Sequence, residues 1–200
     1  MATTVSVRET YGKTLAELGN ENRNIVVLDC DLCKSTMTHF FASEFPARTF
    51  DCGIAEQNMI GIAAGLAASG KIPFASTFAV FAPGRCFDQV RMSVVQPRLN
   101  VKLVTTHSGL SVGEDGTSHQ SIEDLALACA LPGLTVIVPA DAIETAQVIR
   151  TAAATQGPFY IRLCRPSLPL VHGDDYRFRL GEAALVREGT QATIIAIGAM

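Results

Sequence analysis

A single acidic residue opens the most apolar helical segment of this sequence. Glu56 stands in the run Gly-Ile-Ala-Glu-Gln-Asn-Met at positions 53–59. The helix predicted over residues 55–69 is almost wholly apolar after its first turn, so we expect it to be buried on nearly every side, with Gly61 and Gly65 permitting close packing against a neighbour. A carboxylate at a helix start can merely complement the helix dipole. An apolar setting penalises a bare charge, however, so a partner that shares a proton, such as a nitrogen heterocycle, also fits.

The most unusual polar stretch is a glycine-rich run at positions 106–119, which reads THSGLSVGEDGTSH. Its three glycines allow the backbone to turn tightly, and His107 and His119 bracket an acidic pair that ends in Asp115. Taken alone, this composition fits a mobile surface loop equally well, with Asp115 in a simple turn. The run is therefore a candidate binding loop whose role depends on what surrounds it.

Aromatic and basic side chains follow other predicted strands. Phe78 and Phe81 come after an apolar run and before a helix, where they could line a pocket, although ordinary core packing explains them better when they are taken alone. Arg165 closes the last predicted core strand. A guanidinium suits phosphate because its fork can donate hydrogen bonds in pairs, but a single surface arginine is usually only a solvated charge.

Alternating strands and helices would bring these residues to one edge of a sheet. The predicted strands are 25–28, 48–51, 71–77, 101–106, 134–138 and 159–163, and the predicted helices are 7–18, 36–44, 55–69, 85–95, 122–130 and 142–154. This alternation predicts an α/β fold, a parallel β-sheet with helices on both faces. Ligands of such sheets bind beyond the carboxyl ends of the strands. The loops expected there are 29–35, 51–56, 77–84, 107–119 and 164–166.

Composition argues against several classes of protein. The chain is 48% hydrophobic and 18% charged with a formal net charge of −3, which predicts a large core and no extensive disorder. Its basic residues are scattered, so no nucleic-acid partner is expected. Residues 1–7 lack a secretory signal pattern, and the longest apolar run, 59–68, is shorter than the ~20 residues that span a bilayer. We therefore expect a cytoplasmic protein without a membrane partner.

Six cysteines occur at irregular spacing. Cys30 and Cys33 form a CxxC that could be a redox or metal-binding pair. Because no second pair lies near enough in sequence to complete a zinc site, we favour buried or partly buried free thiols.

The sequence changes character after the last predicted core strand. Residues 1–165 carry the α/β pattern and are expected to form one domain. Pro166, Pro169 and a polar run at 172–179 predict a linker over residues 166–190. Residues 192–197 then predict a new apolar strand. Because a lone strand cannot bury its faces, we expect residues 191–200 to begin a further, truncated domain.

Three of these features together resemble the transketolase family: the helix that starts near Glu56, the strand end at 76–78 and the loop at 106–119. The resemblance covers about residues 5–170 and implies the thiamine-diphosphate-binding fold, specifically its pyrimidine domain. It also implies that Glu56 hydrogen-bonds N1′ of the cofactor's aminopyrimidine. The protein would then tune the electronic state of the cofactor, which supplies the chemistry.

The resemblance extends to the walls of the cofactor pocket. It implies that Phe78 and Phe81 line the pyrimidine pocket, with Phe81 the better candidate for stacking on the ring. Asp31 matches a residue that lies beside the cofactor at a subunit boundary. Many members of the family carry a third aromatic residue at the position where this chain has Gly84, so part of the pocket wall differs here.

The resemblance also implies substrate contacts. Asp115 matches an aspartate that binds a hydroxyl group of the donor sugar, and His119 matches a residue at the same end of the donor. Both are catalytic candidates, together with Glu56. His107 matches a contact to the sugar phosphate, and histidine suits this role because small shifts move its charge across neutral pH. Further contacts to phosphate are expected from Arg165, Arg8 and Ser35.

One expected motif is absent from the sequence. The family holds the cofactor's diphosphate through a metal bound by a Gly-Asp-Gly motif, and this chain has no such motif. We therefore expect no metal ligands in this chain and Mg²⁺ or Ca²⁺ on a partner. With Met1 just before the pyrimidine domain, the chain resembles the C-terminal subunit of a split transketolase. Such a subunit would be inactive without an N-terminal diphosphate-binding subunit and would assemble as a homodimer or heterotetramer.

The implied reaction is transfer of a two-carbon ketol unit between sugar phosphates, as in the pentose phosphate pathway. Deoxyxylulose-phosphate synthase and the β subunit of a 2-oxoacid dehydrogenase share the architecture and the glutamate, but they would not require Asp115 and His119 at this spacing. The remaining alternative is a non-catalytic domain that only binds a partner, which the missing motif and the short C-terminal part favour.

Overall fold

The computed structural model describes residues 4–199. Its centre is a six-stranded sheet in the order β3-β2-β4-β5-β7-β6, in which every pair of neighbours is parallel. The strands are β2 (Ile25–Asp29), β3 (Thr49–Asp51), β4 (Ile72–Phe78), β5 (Lys102–Thr106), β6 (Thr135–Ile137) and β7 (Phe159–Arg162). Two further short strands, β1 (Thr4–Val5) and β8 (Leu168–Pro169), pair antiparallel with each other.

Helices cover both faces of the six-stranded sheet. They are α1 (Val7–Glu21), α2 (Cys33–Thr36), α3 (His39–Glu44), α4 (Glu56–Ala68), α5 (Phe87–Gln89), α6 (Asp124–Cys129) and α7 (Ala142–Ala154). The two long outer helices begin at side-chain caps: Ser6 accepts a hydrogen bond from the Glu9 N–H, and Asp141 accepts one from the Glu144 N–H. No helix within residues 4–199 is both long and apolar enough to cross a membrane.

The sheet is buried on both sides by two separate apolar clusters. On β2, Val27 belongs to the cluster beneath α1 and α7, whereas the next residue, Leu28, belongs to the cluster beneath α4. The same alternation recurs on β4, where Phe74 and Ala75 face opposite clusters. Strands buried in this way must be mainly apolar, as β2 is, and the predicted α/β fold with helices on both faces is confirmed.

Two predicted helices differ in the structure. The helix predicted over 36–44 is divided into α2 and α3, because Met37 adopts a left-handed backbone with φ of 69° that a continuous helix does not allow. The helix predicted over 85–95 begins only at Phe87 and continues over Val90–Val95 as a wider π-helix.

The prediction that α4 is buried on nearly every side is wrong. Its inner face is buried, but Gln57, Gly61, Ile62 and Gly65 form an exposed face. A Cβ atom added at Gly61 or Gly65 would meet no atom within 4 Å, so these glycines do not mediate close packing within residues 4–199. The high apolar content of α4 therefore reflects an uncovered face as well as a core face.

The segment predicted to be a linker is partly docked onto the domain. Strand β8 pairs with β1, and the backbone N–H groups of Val171 and His172 both donate to the buried Asp141 carboxylate at 2.8 Å. The strand predicted over 192–197 is absent from the structure, where these residues are irregular and Ile194 and Ile195 are exposed. No neighbouring strand pairs with this run, and an unpaired segment has no ladder to hold it extended.

Candidate active site

The candidate site lies at the carboxyl edge of the central strands. Parallel pairing places Phe78, the last residue of β4, directly beside Thr106, the last residue of β5. The loop that begins at His107 therefore starts next to the aromatic run that follows β4. Sequence-distant residues meet here because parallel strands end at one edge of their sheet.

Glu56 is a deeply buried acid of the site. Its side chain is only 1% exposed, and it begins α4 without a side-chain cap at the preceding residue. The Arg85 guanidinium donates a hydrogen bond from Nη1 to Glu56 Oε2 at 2.8 Å, although the Arg85 side chain is 45% exposed. The partner that a buried carboxylate requires is thus present within the chain, and sequence reasoning missed it.

Four ring side chains form a continuous aromatic cluster beside Glu56. The rings of Phe78 and Phe81 are nearly parallel, with centroids 5.9 Å apart and planes inclined by 16°. His107 stacks on Phe78 at 3.9 Å, and His119 presents an edge-on contact to Phe81 at 5.5 Å. These predicted residues therefore come together, and their rings occupy geometries that aromatic pairs favour.

His107 is held in an unusual backbone conformation and is almost fully buried. Its φ of 57° lies in the left-handed region, and its Nδ1 lies 2.9 Å from Thr106 Oγ1. Burial, followed by the positive charges of Arg8 and Arg165, lowers the pKa of His107 to about 4. His107 is therefore neutral near pH 7, contrary to the expectation that its charge switches there.

The predicted phosphate contacts lie together. The Arg8 guanidinium donates to the Ser35 carbonyl at 2.6 Å and, through Nε and Nη2, to the Arg165 carbonyl at 3.3 and 3.2 Å. The buried Asp29 carboxylate holds the turn before Ser35, because it accepts hydrogen bonds from the Leu32 N–H and the Thr36 hydroxyl. Arg8 thus ties the start of α1 to two loops at the carboxyl edge.

The acidic end of the glycine loop is paired with Arg165. Its Nη1 lies 3.2 Å from Asp115 Oδ2 and 3.3 Å from Glu114 Oε2, and it also donates to the Val112 carbonyl. Asp115, predicted to bind a sugar hydroxyl, and Arg165, predicted to bind phosphate, are therefore direct partners in this structure. A ligand that engages either side chain must share or replace this contact.

Two other predicted positions behave differently. Asp31 is exposed at the end of β2, where its φ is 60° and its N–H donates to Asp51 Oδ1 at 3.0 Å. Within residues 4–199 its carboxylate makes no hydrogen bond to another predicted site residue. Gly84 brings no side chain to this position, and the neighbouring Arg85 places its guanidinium carbon 4.2 Å from the Phe81 ring centroid. Arg85 therefore contacts both the Glu56 carboxylate and the Phe81 ring.

A buried polar network beneath the glycine loop was also missed. Asp124 Oδ2 accepts hydrogen bonds from the Tyr160 hydroxyl and from Arg162 Nε, both at 2.7 Å. Arg162 also donates to the carbonyl of Ser121, which pairs with Gly109 in an isolated β-bridge. The network anchors the two ends of the loop, and the only sequence signal for it was a pair of polar residues within otherwise apolar elements.

The sequence comparison with known families then decides the assignment. Residues 3–171 match the family described as transketolase, pyrimidine binding domain. The chain belongs to the transketolase family. The resemblance recognised in the Glu56 helix, the strand end at 76–78 and the loop at 106–119 is thereby confirmed.

Several similar proteins are parts of transketolases. A transketolase C-terminal section of Methanocaldococcus jannaschii is 50% identical over 194 residues, which are 96% of this chain and 61% of that protein. A 6-deoxy-6-sulfo-D-fructose transketolase subunit of a Clostridium species is 41% identical, covering 97% of this chain and 60% of that subunit. A solved split-gene transketolase, described as an inactive β4 tetramer, is 54% identical with a TM-score of 0.84, covering 94% of this chain and 60% of that one. The chain thus spans about three fifths of the length of these relatives.

The transketolase chain shows no metal centre of its own in the part that is described. Residues 4–199 contain no group of three or more His, Cys, Asp or Glu side chains able to hold a metal ion. Cys30 is buried and Cys33 partly buried, and neither is in a disulfide. Burial raises the pKa of Cys30 to about 12, which keeps this thiol protonated and unreactive.

Proposed function

We propose that this chain is the pyrimidine-binding subunit of a two-subunit, thiamine-diphosphate-dependent transketolase. The proposed reaction is transfer of a two-carbon ketol unit between sugar phosphates. The observation that carries the proposal is the buried Glu56 carboxylate, which Arg85 links to the Phe81 ring at the carboxyl edge of a parallel sheet. A buried acid next to an aromatic face fits a flat heterocycle that both stacks and exchanges a proton.

The residues at this end of the site fit the aminopyrimidine of the cofactor. Glu56 would hold a proton shared with ring nitrogen N1′, and Phe81 would hold the ring plane, with Phe78 behind it at 5.9 Å. When bound, thiamine diphosphate supplies the carbon nucleophile that takes up and releases the two-carbon unit. The low water access around Glu56 would strengthen the shared hydrogen bond.

The opposite end of the site fits an anionic sugar. Arg8, Arg165 and Ser35 would contact the terminal anion, with neutral His107 beside them as a hydrogen-bonding group. Asp115 and His119 would contact the hydroxyl groups near the reacting carbons. Because one relative is a 6-deoxy-6-sulfo-D-fructose transketolase subunit, phosphate and sulfonate are the two anions to compare. We propose phosphate, since the positive charges of Arg8 and Arg165 both act, after burial, to lower the pKa of His107, and two nearby cations favour a dianion.

We further propose an N-terminal partner subunit that binds the diphosphate and Mg²⁺ or Ca²⁺. Large apolar side chains at the rim of the site support a covered surface: Ile54, Leu110 and Ile122 are 78%, 70% and 72% exposed. A homodimer of this chain or a heterotetramer with its partner would bury them. Asp31, on an exposed turn at the same edge, would then lie at the subunit boundary.

Some assignments remain predictions from the sequence. We propose that residues 1–165 are the pyrimidine domain, that residues 166–190 are a linker, and that residues 191–200 begin a transketolase C-terminal domain. The hydrogen bonds from Val171 and His172 to Asp141 support a linker that is held against the domain over at least part of its length. A cytoplasmic location and a role in the pentose phosphate pathway also remain predictions.

Reconstitution tests the proposed function. This chain is mixed with a Gly-Asp-Gly-containing transketolase subunit, thiamine diphosphate and Mg²⁺, and ketose formation from hydroxypyruvate and an aldose phosphate is measured. We expect no turnover with the chain alone and turnover with the complex. Glu56→Gln should abolish turnover, whereas Glu9→Gln, at an exposed acid on α1, should not. A complex that binds thiamine diphosphate but forms no ketose would refute the transketolase proposal.

Asp115→Ala separates the alternative reactions. If the chain were a deoxyxylulose-phosphate synthase or a 2-oxoacid dehydrogenase β subunit, pyruvate would serve as donor. Asp115→Ala would then change the rate of pyruvate turnover little. A transketolase should instead lose turnover of sugar donors. Comparing fructose 6-phosphate with 6-deoxy-6-sulfofructose in the same assay identifies the preferred anion.

A further inference from the structure

The Arg85 guanidinium makes both contacts that Glu56 and Phe81 would offer to an aminopyrimidine. Its Nη1 donates to Glu56 Oε2 at 2.8 Å, and its central carbon lies 4.2 Å from the Phe81 ring centroid. A guanidinium and an aminopyrimidine share the relevant chemistry, because each is planar, carries N–H donors and stacks on aromatic rings. One side chain of the protein thus combines the hydrogen bond and the ring contact expected of the cofactor.

We propose that Arg85 is an internal ligand of the pyrimidine site, which competes with thiamine diphosphate and must swing away when the cofactor binds. The inference rests on the proposed function, because it takes Glu56 and Phe81 as the cofactor's contacts. It adds a gating residue, Arg85, that follows Gly84 in the chain.

Of the two partners, Glu56 is held in place and Arg85 is the one that can move. Glu56 is fixed, since its side chain is 1% exposed and lies at the start of α4. Arg85 is 45% exposed, so its side chain can turn into solvent and be hydrated there. Its backbone can stay in place, because its carbonyl accepts from Gln57 and its N–H donates to the Phe81 carbonyl.

The need to keep Glu56 paired explains why an internal ligand is useful. A buried carboxylate without a hydrogen-bond donor is costly, and within residues 4–199 Arg85 supplies the one hydrogen bond that this carboxylate accepts. Exchange of Arg85 for the cofactor keeps a donor on Glu56 before and after binding. The cost of displacing Arg85 must then be subtracted from the affinity for the cofactor.

The test measures cofactor binding rather than turnover. Thiamine diphosphate with Mg²⁺ is titrated calorimetrically into the complex with the diphosphate-binding subunit, for the wild type and for Arg85→Ala, Arg85→Lys and Arg91→Ala. Arg91 is the matched control, because it is a similarly exposed arginine in the next turns that pairs with Asp88. Arg85→Ala should lower Kd about fivefold, as expected for release of an ion pair with one solvated partner.

The variants show whether Arg85 competes with thiamine diphosphate or supports its binding. Arg85→Lys keeps the charge but loses the planar stacking group, so its Kd should lie between those of wild type and Arg85→Ala, and Arg91→Ala should match wild type. An unchanged or raised Kd in Arg85→Ala would overturn the proposal. If the cofactor assignment in the proposed function fails, the wild-type complex will not bind thiamine diphosphate at all, which differs from binding that Arg85 does not affect.

A second measurement starts from the wild-type chain, so it does not depend on whether an Arg85 variant folds. NMR of the arginine Nε–H groups in the wild-type chain should show Arg85 more ordered than Arg91, and Glu56→Gln should release it. After the complex is formed with thiamine diphosphate, Arg85 should become mobile. An Arg85 signal that is already as mobile as that of Arg91 in the free chain would refute an internal ligand.

Discussion

The ion pair beneath the glycine loop allows a quantitative prediction. Replacing Asp124 by Ala removes a carboxylate that is 1% exposed and leaves the Arg162 guanidinium, 18% exposed, without its anion. The Tyr160 hydroxyl also loses its 2.7 Å acceptor. Burial raises the pKa of Tyr160 well above its ordinary value, so this hydroxyl remains a donor that needs a partner. Breaking a buried pair by removing one partner costs about 3–5 kcal/mol.

This loss should be visible in thermal unfolding. For a chain of this size each kcal/mol lowers Tm by roughly 2–4 °C, so Asp124→Ala should lower Tm by about 10 °C. Asp124→Asn keeps an oxygen acceptor for Tyr160 but not the charge, and should lower it by about half as much. The control is Asp88→Ala, which removes a 70% exposed partner of Arg91 and should cost less than about 0.5 kcal/mol.

Hydrogen exchange adds a local measurement to the same variants. Because Arg162 holds the Ser121 carbonyl, and Ser121 pairs with Gly109, Asp124→Ala should speed exchange of the Gly109 amide more than that of amides in β2. If Asp124→Ala changed Tm no more than Asp88→Ala does, the buried network would not support the fold. A uniform increase in exchange would show that it does not anchor the loop.

Three further predictions concern charge. The fully buried Lys102 ammonium donates to the Thr155 and Gly157 carbonyls, and burial lowers its pKa from 10.5 to about 7. The unfolded chain keeps that proton up to higher pH than the folded chain does. The free energy of unfolding, measured by denaturant titration, should therefore rise by at most about 5 kcal/mol between pH 7 and 10.5. Lys102→Met should not show this rise. The pKa of His107 is lowered from an ordinary 6.5 to about 4. The free energy of unfolding should therefore fall by at most about 3 kcal/mol as the pH drops from 6.5 to 4. The same titrations of His107→Asn should not show this loss. Arg8→Gln should raise the KM for a sugar phosphate about tenfold in steady-state assays of the reconstituted complex and change kcat little, since it removes a charge-assisted contact to the non-reacting end.

Much of the fold could be predicted because the sheet demands a particular sequence. Strands buried on both faces are mainly apolar, and β2 is recognisable for that reason. The position of Glu56 was equally readable, since it is the only charged residue in the apolar segment 55–69. The cluster of Phe78, Phe81 and His107 followed from the rule that parallel strands end at one edge.

The remaining features depend on contacts between distant positions. Arg85 pairs with a residue 29 positions earlier, and nothing in its local sequence distinguishes it from a solvated arginine. The break at Met37 depends on a left-handed backbone in a residue that seldom adopts one. The exposed face of α4 was not foreseeable either, because apolar content does not reveal whether a neighbour covers it.

The site is nearly neutral internally, and this determines how it can bind anions. Arg85 is paired with Glu56, and Arg165 with Asp115 and Glu114, so both guanidinium groups already have anionic partners. Arg8 donates only to carbonyl groups. Under the proposed function, an anionic ligand would therefore pair with Arg8 and would exchange with the acidic partners of Arg165. Under the proposed function, such exchange would favour a ligand that replaces the broken contacts together, so we expect a sugar with hydroxyl groups and an anion to bind better than a free anion.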